Sequence, residues 1–416
     1  MGNSFWFIIA SERRQIMPWT ETRIMDARLK FVSEVLEGIY NMAELCRSYD
    51  ISRKTGYKWL NRYESEGPAG LCDRSKAPHN HPHAMSEQVR QAVLSVKGRF
   101  SHWGPAKIRI RLQRQYPHWS CYPAVSTIGE YLKRRGLVCS RKRRRRASPT
   151  TPPLTVGNNS NDVWTADFKG HFCTGDGRRC NPLTIRDDAS RYLLCCRHLD
   201  LMSYKLVRMQ FERVFGEYGL PLVIRTDNGG PFSSRGLCGL SRLSYWWIRL
   251  GIHPERIMPG HPEHNGRHER MHKTLKKHTA NPPANTLVAQ QKRFDLFTVE
   301  YNQDRPHEAL DMQTPASCYS GSARCYPARL PQVYYPDHMK ICRVQRHGDV
   351  YYCGRRFFLT ECLRGKYVGI EQIEDDRSRL WYCNYELGTV DHRRWRVTPA
   401  KCRALLAGVN PSKQES

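Results

Sequence analysis

Three acidic residues constrain this chain more than any other feature, because each stands in its own phrase at the end or start of an element. Asp167 closes the apolar run Val163-Trp164-Thr165-Ala166-Asp167-Phe168. Asp227 follows Ile224-Arg225-Thr226, and Glu269 sits within Gly266-Arg267-His268-Glu269-Arg270. Two of the acids end strand-like runs and the third opens a helix. A fold that brings two strand ends to a helix start gathers three carboxylates, distant in sequence, into one divalent-metal site.

The rest of the composition says what such a site acts on. The formal net charge is +28 over 416 residues, a field that draws in polyanions and speeds encounter with nucleic acid. The charge is uneven: Arg141-Lys142-Arg143-Arg144-Arg145-Arg146 is an unbroken cationic run. The sixteen cysteines are scattered and none forms a Cys-x-x-Cys pair. That argues against zinc spacing and against a secreted disulfide framework, and points to reduced thiols in the cytoplasm. His79, His81 and His83 lack partnering cysteines and read as a polar linker. Phe5–Ala10 is too short to span a membrane, and no other stretch reaches that length.

A chain this long holds more than one core. Residues 17–75 read as a helix-turn-helix domain. Met42–Tyr49 is a short helix, Asp50-Ile51-Ser52 a turn with Ser52 as N-cap, and Arg53–Tyr63 a second helix. Trp59, Leu60 and Tyr63 form its inner face. Arg53, Lys54, Thr55 and Lys58 are the expected DNA donors near its start. Residues 84–140 read as a second helical, winged-helix-like DNA-binding module, with Val89, Val93 and Val96 marking one helix face. Residues 141–160 form a basic linker whose Arg143, Arg144 and Arg145 are expected to contact phosphates. Residues 161–319 alternate strands and helices: three strands, then helix–strand–helix–strand–helix, the order of the α/β RNase H-like fold. In that fold the first and fourth strands are neighbours, which lets Asp167 and Asp227 approach. Residues 336–403 carry short alternating runs that predict a small all-β barrel. The tail from Gly408 reads as disordered.

The expected chemistry is phosphodiester transfer, which needs an activated oxygen nucleophile and charge relief on entering and leaving oxygens. A pair of Mg²⁺ ions supplies both, held by hard carboxylate oxygens. Asp167, Asp227 and Glu269 are the candidate catalytic and metal-binding residues. His272, Lys273 and Lys276 fall three, four and seven residues after Glu269, on the same helical face, where they would offer cations to DNA phosphates. Asp162, Asp187 and Asp188 lie close by in sequence and read as turn or surface residues.

The phrases around these acids carry a family resemblance. Trp164-Thr165-Ala166-Asp167, Arg225-Thr226-Asp227-Asn228-Gly229 and Gly260–Arg270 resemble the DDE transposases of bacterial insertion sequences, whose core is of the retroviral-integrase type. Tyr301-Asn302-Gln303-Asp304-Arg305-Pro306-His307-Glu308-Ala309-Leu310 and Ile51–Lys58 match the same group. The resemblance implies Mg²⁺, with Mn²⁺ as substitute, and cutting at transposon ends followed by attack of the freed 3′-hydroxyl on target DNA. It also implies no covalent protein–DNA intermediate, a homo-oligomer assembled on the DNA, helix-turn-helix reading of terminal repeats, and a nucleoid-associated cytoplasmic protein. Met17-Pro18-Trp19 resembles the start of related proteins, so residues 1–16 read as an upstream extension. Two other classes are weighed against this one: a catalytically silent DNA-binding remnant of a transposase, and an RNase H-like nuclease. The three intact acids argue against the remnant, and two tandem DNA-binding modules argue against the nuclease.

Overall fold

The computed structural model describes residues 24–74, 85–138, 154–258 and 261–400. The expectations for residues 1–16, for His79, His81 and His83, for the Arg141–Arg146 run with Arg143, Arg144 and Arg145, and for the tail from Gly408 concern residues outside that set. The chain divides into two compact units, Met1–Ala84 and Met85–Ser416.

In the first unit, α1 (Ile24–Leu36), α2 (Met42–Ser48) and α3 (Arg53–Glu66) enclose Phe31, Val32, Leu45, Cys46, Trp59 and Leu71. Helix α2 starts with a capping box in which Asn41 and Glu44 satisfy one another's backbone N–H groups. At the start of α3 the Thr55 N–H donates to the Ser52 hydroxyl at 3.2 Å, as its N-cap chemistry requires. Gly56 lets α2 and α3 close together: a Cβ there would lie 2.6 Å from Cys46 Sγ. Arg53, Lys54 and Lys58 remain exposed, and Trp59 is buried beneath the Arg28 guanidinium, 3.9 Å from its ring centroid.

The second unit begins with three helices: α4 (Glu87–Arg99), α5 (Pro105–Gln115) and α6 (Val125–Arg134). Their core is Val93, Val96, Phe100, Trp103, Ile108, Leu112, Ile128 and Leu132. The described residues 85–138 contain no strand, so they supply helices without a wing.

The central sheet follows. Its strands are β1 (Val163–Phe168), β4 (Pro182–Asp187), β5 (Leu193–His198), β6 (Val223–Thr226) and β7 (His253–Arg256), in the order β5-β4-β1-β6-β7. A small ladder of β2 (Phe172–Cys173) and β3 (Arg179–Cys180) lies between β1 and β4 in sequence. The β5, β4 and β1 strands are antiparallel neighbours, while β1, β6 and β7 run parallel. Helices α7 (Tyr204–Tyr218) and α8 (Arg242–Arg249) cover one face, through Val207, Phe211, Phe215, Leu243 and Trp247. Helices α9 (Gly266–Thr279) and α10 (Leu287–Val299) cover the other, through Met271, Leu275, Phe294 and Phe297. Strands buried on both faces read as near-continuous apolar runs, as β1 does.

The barrel expected over residues 336–403 does not form. Strands β8 (Lys340–Arg343), β11 (Tyr367–Glu374), β12 (Arg377–Tyr382), β13 (Tyr385–Asp391) and β14 (Arg396–Pro399) make an open sheet in the order β14-β13-β12-β11-β8. The hairpin of β9 (Asp349–Tyr352) and β10 (Arg355–Phe358) is a separate ladder. Strands β8 and β14 stand at opposite edges, and no ladder joins them. Closure is not needed to bury the apolar side. Val368, Ile370, Leu380 and Leu387 share one cluster with Leu240, Tyr245 and Ile248 from the α8 region of the core, so another element covers that side.

Replacing Gly56 by valine is expected to destabilise the first unit by about 1–3 kcal/mol through overpacking. Hydrogen exchange on the full chain should show faster exchange in α2 and α3 and unchanged exchange in β1 and β6. Unchanged exchange in α2 and α3 would contradict the close approach.

Candidate active site

The parallel ladder of β1 and β6 sets the site. Ala166 pairs with Thr226, so Asp167 and Asp227, one residue further on, leave the same end of adjacent strands. This is the carboxyl end of the parallel strands, where α/β sheets place their ligand crevices. Just beyond Asp227 the chain turns. A Cβ on Gly229 would sit 2.9 Å from Asp227 Oδ2, so glycine is what lets the turn fold over the carboxylate. Asn228 anchors this turn by donating from Nδ2 to the Ile257 carbonyl at 2.9 Å. Glu269 comes from the first turn of α9, where the helix dipole favours negative charge.

Asp167 feels both of the other acids. Burial first, then the charge of Asp227, raise the Asp167 pKa to about 7. Hydrogen bonds from Asn265 and the Phe168 N–H oppose the rise, and Glu269 adds to it. The Asn265 bond runs from Nδ2 to Asp167 Oδ2 at 3.0 Å. Burial also raises Asp227, against a hydrogen bond from the Gly229 N–H. Asp227 Oδ1 is enclosed and has no hydrogen-bond partner. A cluster of carboxylates with an orphaned buried oxygen fits a bound cation, which would relieve both the repulsion and the unmet lone pairs.

A belt of buried polar groups holds α9 against the sheet. The Thr184 hydroxyl donates to the Asp167 carbonyl at 3.0 Å and lies 2.7 Å from Nε2 of both His268 and His272. A hydroxyl has one proton and two lone pairs, so both imidazoles donate to it from Nε2. His268 Nδ1 lies 2.8 Å from the Thr165 hydroxyl. His272 Nδ1 keeps its lone pair, 3.8 Å from Asp167 Oδ2. Burial, then the charges of Lys169 and Arg186, lower the His272 pKa to about 3.

His272 therefore differs from the sequence expectation. It is buried and neutral, facing Asp167 rather than DNA, whereas Lys273 and Lys276 are exposed. Helical spacing alone put all three on one face. The sheet decides which edge of that face turns inward.

Asp188 stands in the turn after β4 as expected, whereas Asp187 ends the strand itself, and neither is at the surface: they are 2% and 0% exposed. Asp187 accepts from the Asn161 N–H and from Ser190. Asp188 pairs with Arg186 at 2.9 Å, Arg191 at 3.2 Å and Arg267 at 2.7 Å, and burial notwithstanding, these cations hold its pKa low. Arg186 also donates to the Arg267 carbonyl at 3.0 Å. This network fastens the start of α9, which carries Glu269. Its only sequence signal is the density of Arg and Asp at residues 186–191.

Four comparisons with domain families match. Residues 157–262 and 250–315 each match an "Integrase core domain" family. Residues 27–79 match a "Helix-turn-helix domain" and residues 55–132 a "Homeodomain-like domain". The 31.7 kDa protein of insertion element IS407 from Burkholderia multivorans is 27% identical over 183 residues, 44% of this chain and 64% of that protein. The 39.2 kDa protein of insertion element IS476 from Xanthomonas euvesicatoria is 28% identical over 179 residues, 42% of this chain and 50% of that protein. The chain thus spans between half and two thirds of the length of these relatives. Among solved structures, the HTLV-2 integrase catalytic core domain in complex with magnesium matches with a TM-score of 0.32 at 17% identity. That match covers 40% of this chain and all of the other. A simian T-cell lymphotropic virus intasome matches with a TM-score of 0.35 at 15% identity, over 71% of this chain and 97% of that one.

Residues 157–315 are an integrase core domain of the kind found in bacterial insertion-element proteins, preceded by helix-turn-helix-type sequence. Among the described residues there are two candidate metal-binding clusters: Asp167, His268 and His272 of the core present ligand-type atoms within 4.8 Å of one another, and so do His102 of the second helical module with His278 and Glu300 of the core. In the first of these the hydrogen bonds above occupy both His268 nitrogens. No helix among the described residues is long and apolar enough to cross a membrane.

A carboxyl group whose pKa is higher in the folded than in the unfolded state binds protons better when folded. Its contribution to stability is lost as pH rises from the unfolded value, 3.8, through about 7. Metal-free Asp167→Asn protein is therefore expected to equal the parent in stability near about pH 4 and exceed it near about pH 8, by on the order of a few kcal/mol. Thermal unfolding with chelator present measures this. A parent and variant that differ equally at both pH values would contradict the assignment.

Proposed function

We propose that the chain is a DDE transposase: a polynucleotidyl transferase that binds the ends of an insertion sequence, cleaves a strand and joins the freed 3′-hydroxyl to target DNA. The observation that carries this reading is the register of β1 against β6. It sets Asp167 and Asp227 side by side at the strand ends, in electrostatic contact with Glu269. Asp167, Asp227 and Glu269 are the residues that would hold divalent cations, Mg²⁺ with Mn²⁺ as substitute. When bound, such ions supply Lewis-acid charge relief to the oxygens of an in-line displacement at phosphorus.

The chain's own groups have separate tasks. Asn265 orients the Asp167 carboxylate, and the Thr184–His268–His272 belt fixes the backbone that carries it. Lys273 and Lys276, exposed on α9 beyond Glu269, take the phosphates of the reacting strand. Arg53, Lys54 and Lys58 at the exposed start of α3, with Thr55 beside its N-cap, read the terminal repeat. Arg143, Arg144 and Arg145 add phosphate contacts. The bacterial relatives belong to insertion elements, which supports mobile-element ends as the substrate. Oligomer formation on paired ends completes the reading.

The test incubates the purified protein with DNA carrying the element's ends, a supercoiled target and Mg²⁺, beside an Asp227→Asn control. Joined products that vanish in the control are expected. Specific binding with no cutting by the unsubstituted protein, in Mg²⁺ or Mn²⁺, would favour a silent DNA-binding remnant and overturn the enzyme.

The two kinds of residue on α9 should separate in binding. Lys276→Ala is expected to lower the salt dependence of DNA affinity by about one phosphate contact, and His272→Gln to leave that slope unchanged. An equal loss of slope in both would contradict the buried position of His272.

A further inference from the structure

A second group of ligand-type side chains lies apart from the three acids. His102 comes from the turn between α4 and α5, His278 from the last turn of α9, and Glu300 from the π-turn that follows α10. One ligand atom from each lies within 4.8 Å of the other two. His278 Nε2 is 2.6 Å from one oxygen of Glu300, and His102 Nε2 is 3.5 Å from the other. The imidazoles meet edge to face with centroids 4.8 Å apart. The His102, Glu300 and His278 side chains are 11%, 13% and 26% exposed.

His102 Nε2 is enclosed and has no hydrogen-bond partner, although a carboxylate oxygen faces it. At 3.5 Å and with no hydrogen bond formed, the two polar atoms face one another unsatisfied. The arrangement leaves a buried imidazole nitrogen and a carboxylate oxygen facing one another without a hydrogen bond. An unpaired buried acceptor is costly, and a metal ion coordinated by both groups removes that cost.

Arg305, Lys107 and Lys97 are the cations whose charges act on His102. Lys107 Nζ donates to the Pro306 carbonyl at 2.7 Å, and Lys97 Nζ to the Trp103 carbonyl at 3.1 Å. Burial, then Arg305, lower the Lys107 pKa to about 7.

We propose that His102, His278 and Glu300 bind a zinc ion that fastens the second helical module to the catalytic helix. Two imidazoles and one carboxylate suit Zn²⁺, which takes nitrogen and oxygen ligands tetrahedrally, and suit Mg²⁺ poorly. Water fills the fourth position from the adjoining cavity of about 700 Å³, which His102 lines together with Arg270, Lys273 and Arg305. The ion joins three segments: the α4–α5 turn, the end of the helix that starts with Glu269, and the turn leading into Asn302 and Arg305. It is distinct from the ions of the DDE reading and does not depend on that reading.

The test uses the full chain carrying Asp167→Asn and Asp227→Asn, so that the acidic site does not contribute. After chelator treatment and dialysis, Co²⁺ is added as a spectroscopic stand-in for zinc. Visible d–d bands of a low-coordinate site are expected, saturating at about one ion per chain, displaced by Zn²⁺ and resistant to excess Mg²⁺. His102→Gln and His278→Gln should each abolish the bands, while His118→Gln, at an exposed histidine, should keep them. Absence of bands together with absence of retained zinc in the parent protein overturns the proposal without reference to any variant's folding. So do bands that survive both histidine substitutions. Failure of the end-joining assay would leave these readouts untouched.

Discussion

The parallel pairing of β1 with β6 is the interaction on which the rest of the core depends. It joins strands separated in sequence by four strands, β2 to β5, and by α7. The pairing is secured by burial. Trp164, Ala166 and Ile224 sit in one apolar cluster with Phe211, Phe215 and Trp247, while Trp164 Nε1 donates to Asn161 Oδ1 at 3.0 Å. A slip of one residue would turn these side chains to the opposite face and would separate Asp167 from Asp227. The apolar register and the placement of the acids are therefore one constraint.

Helix α9 is fixed to this sheet by polar rather than apolar contacts at its N-terminal end. Thr165, Thr184, His268 and His272 form one hydrogen-bonded set, and Asp188 with Arg186, Arg191 and Arg267 forms an ionic one. Buried charges of this kind contribute little net stability, yet removing one partner is costly because the other stays buried. Their directionality is what matters here: they fix the rotation of α9 about its axis and so the side on which Glu269 emerges. Further along, Met271 and Leu275 take over with ordinary apolar packing.

The segment Tyr301–Leu310 gives the core its link to the second helical module. Asn302 pairs with both backbone groups of Leu193 on the edge strand β5, at 2.8 and 3.0 Å. Asp304 receives Arg111 at 2.7 Å, and the Pro306 carbonyl receives Lys107. One short stretch thus blunts a sheet edge and seats α5. Its density of polar residues reflects these two duties, which explains a phrase whose sequence alone suggests no chemistry.

Local pattern determined a large part of this protein. Asp167 and Asp227 were legible because each follows an apolar run that only a strand accommodates, and Glu269 because it opens a helix. The α2–α3 turn followed from Asp50-Ile51-Ser52 and an N-cap hydroxyl. In the C-terminal region Val350–Tyr352, Arg356–Phe358, Tyr367–Ile370 and Leu380–Tyr382 were readable as strands, whereas β8, β13 and β14 alternate too weakly to stand out. Whether those strands close was not legible. The apolar side is shared between the β9–β10 hairpin, through Val350, Tyr352 and Phe357, and Tyr245 and Ile248 of α8, the latter more than a hundred residues away. The inward turn of His272, the burial of Asp187 and Asp188, and the meeting of His102 with His278 and Glu300 have the same origin. Periodicity assigns residues to a face, but only the packing of distant elements decides what that face meets. Sequence determined the strands, the caps and the acids; tertiary structure decided which polar side chains are enclosed, because enclosure depends on neighbours that no local pattern names.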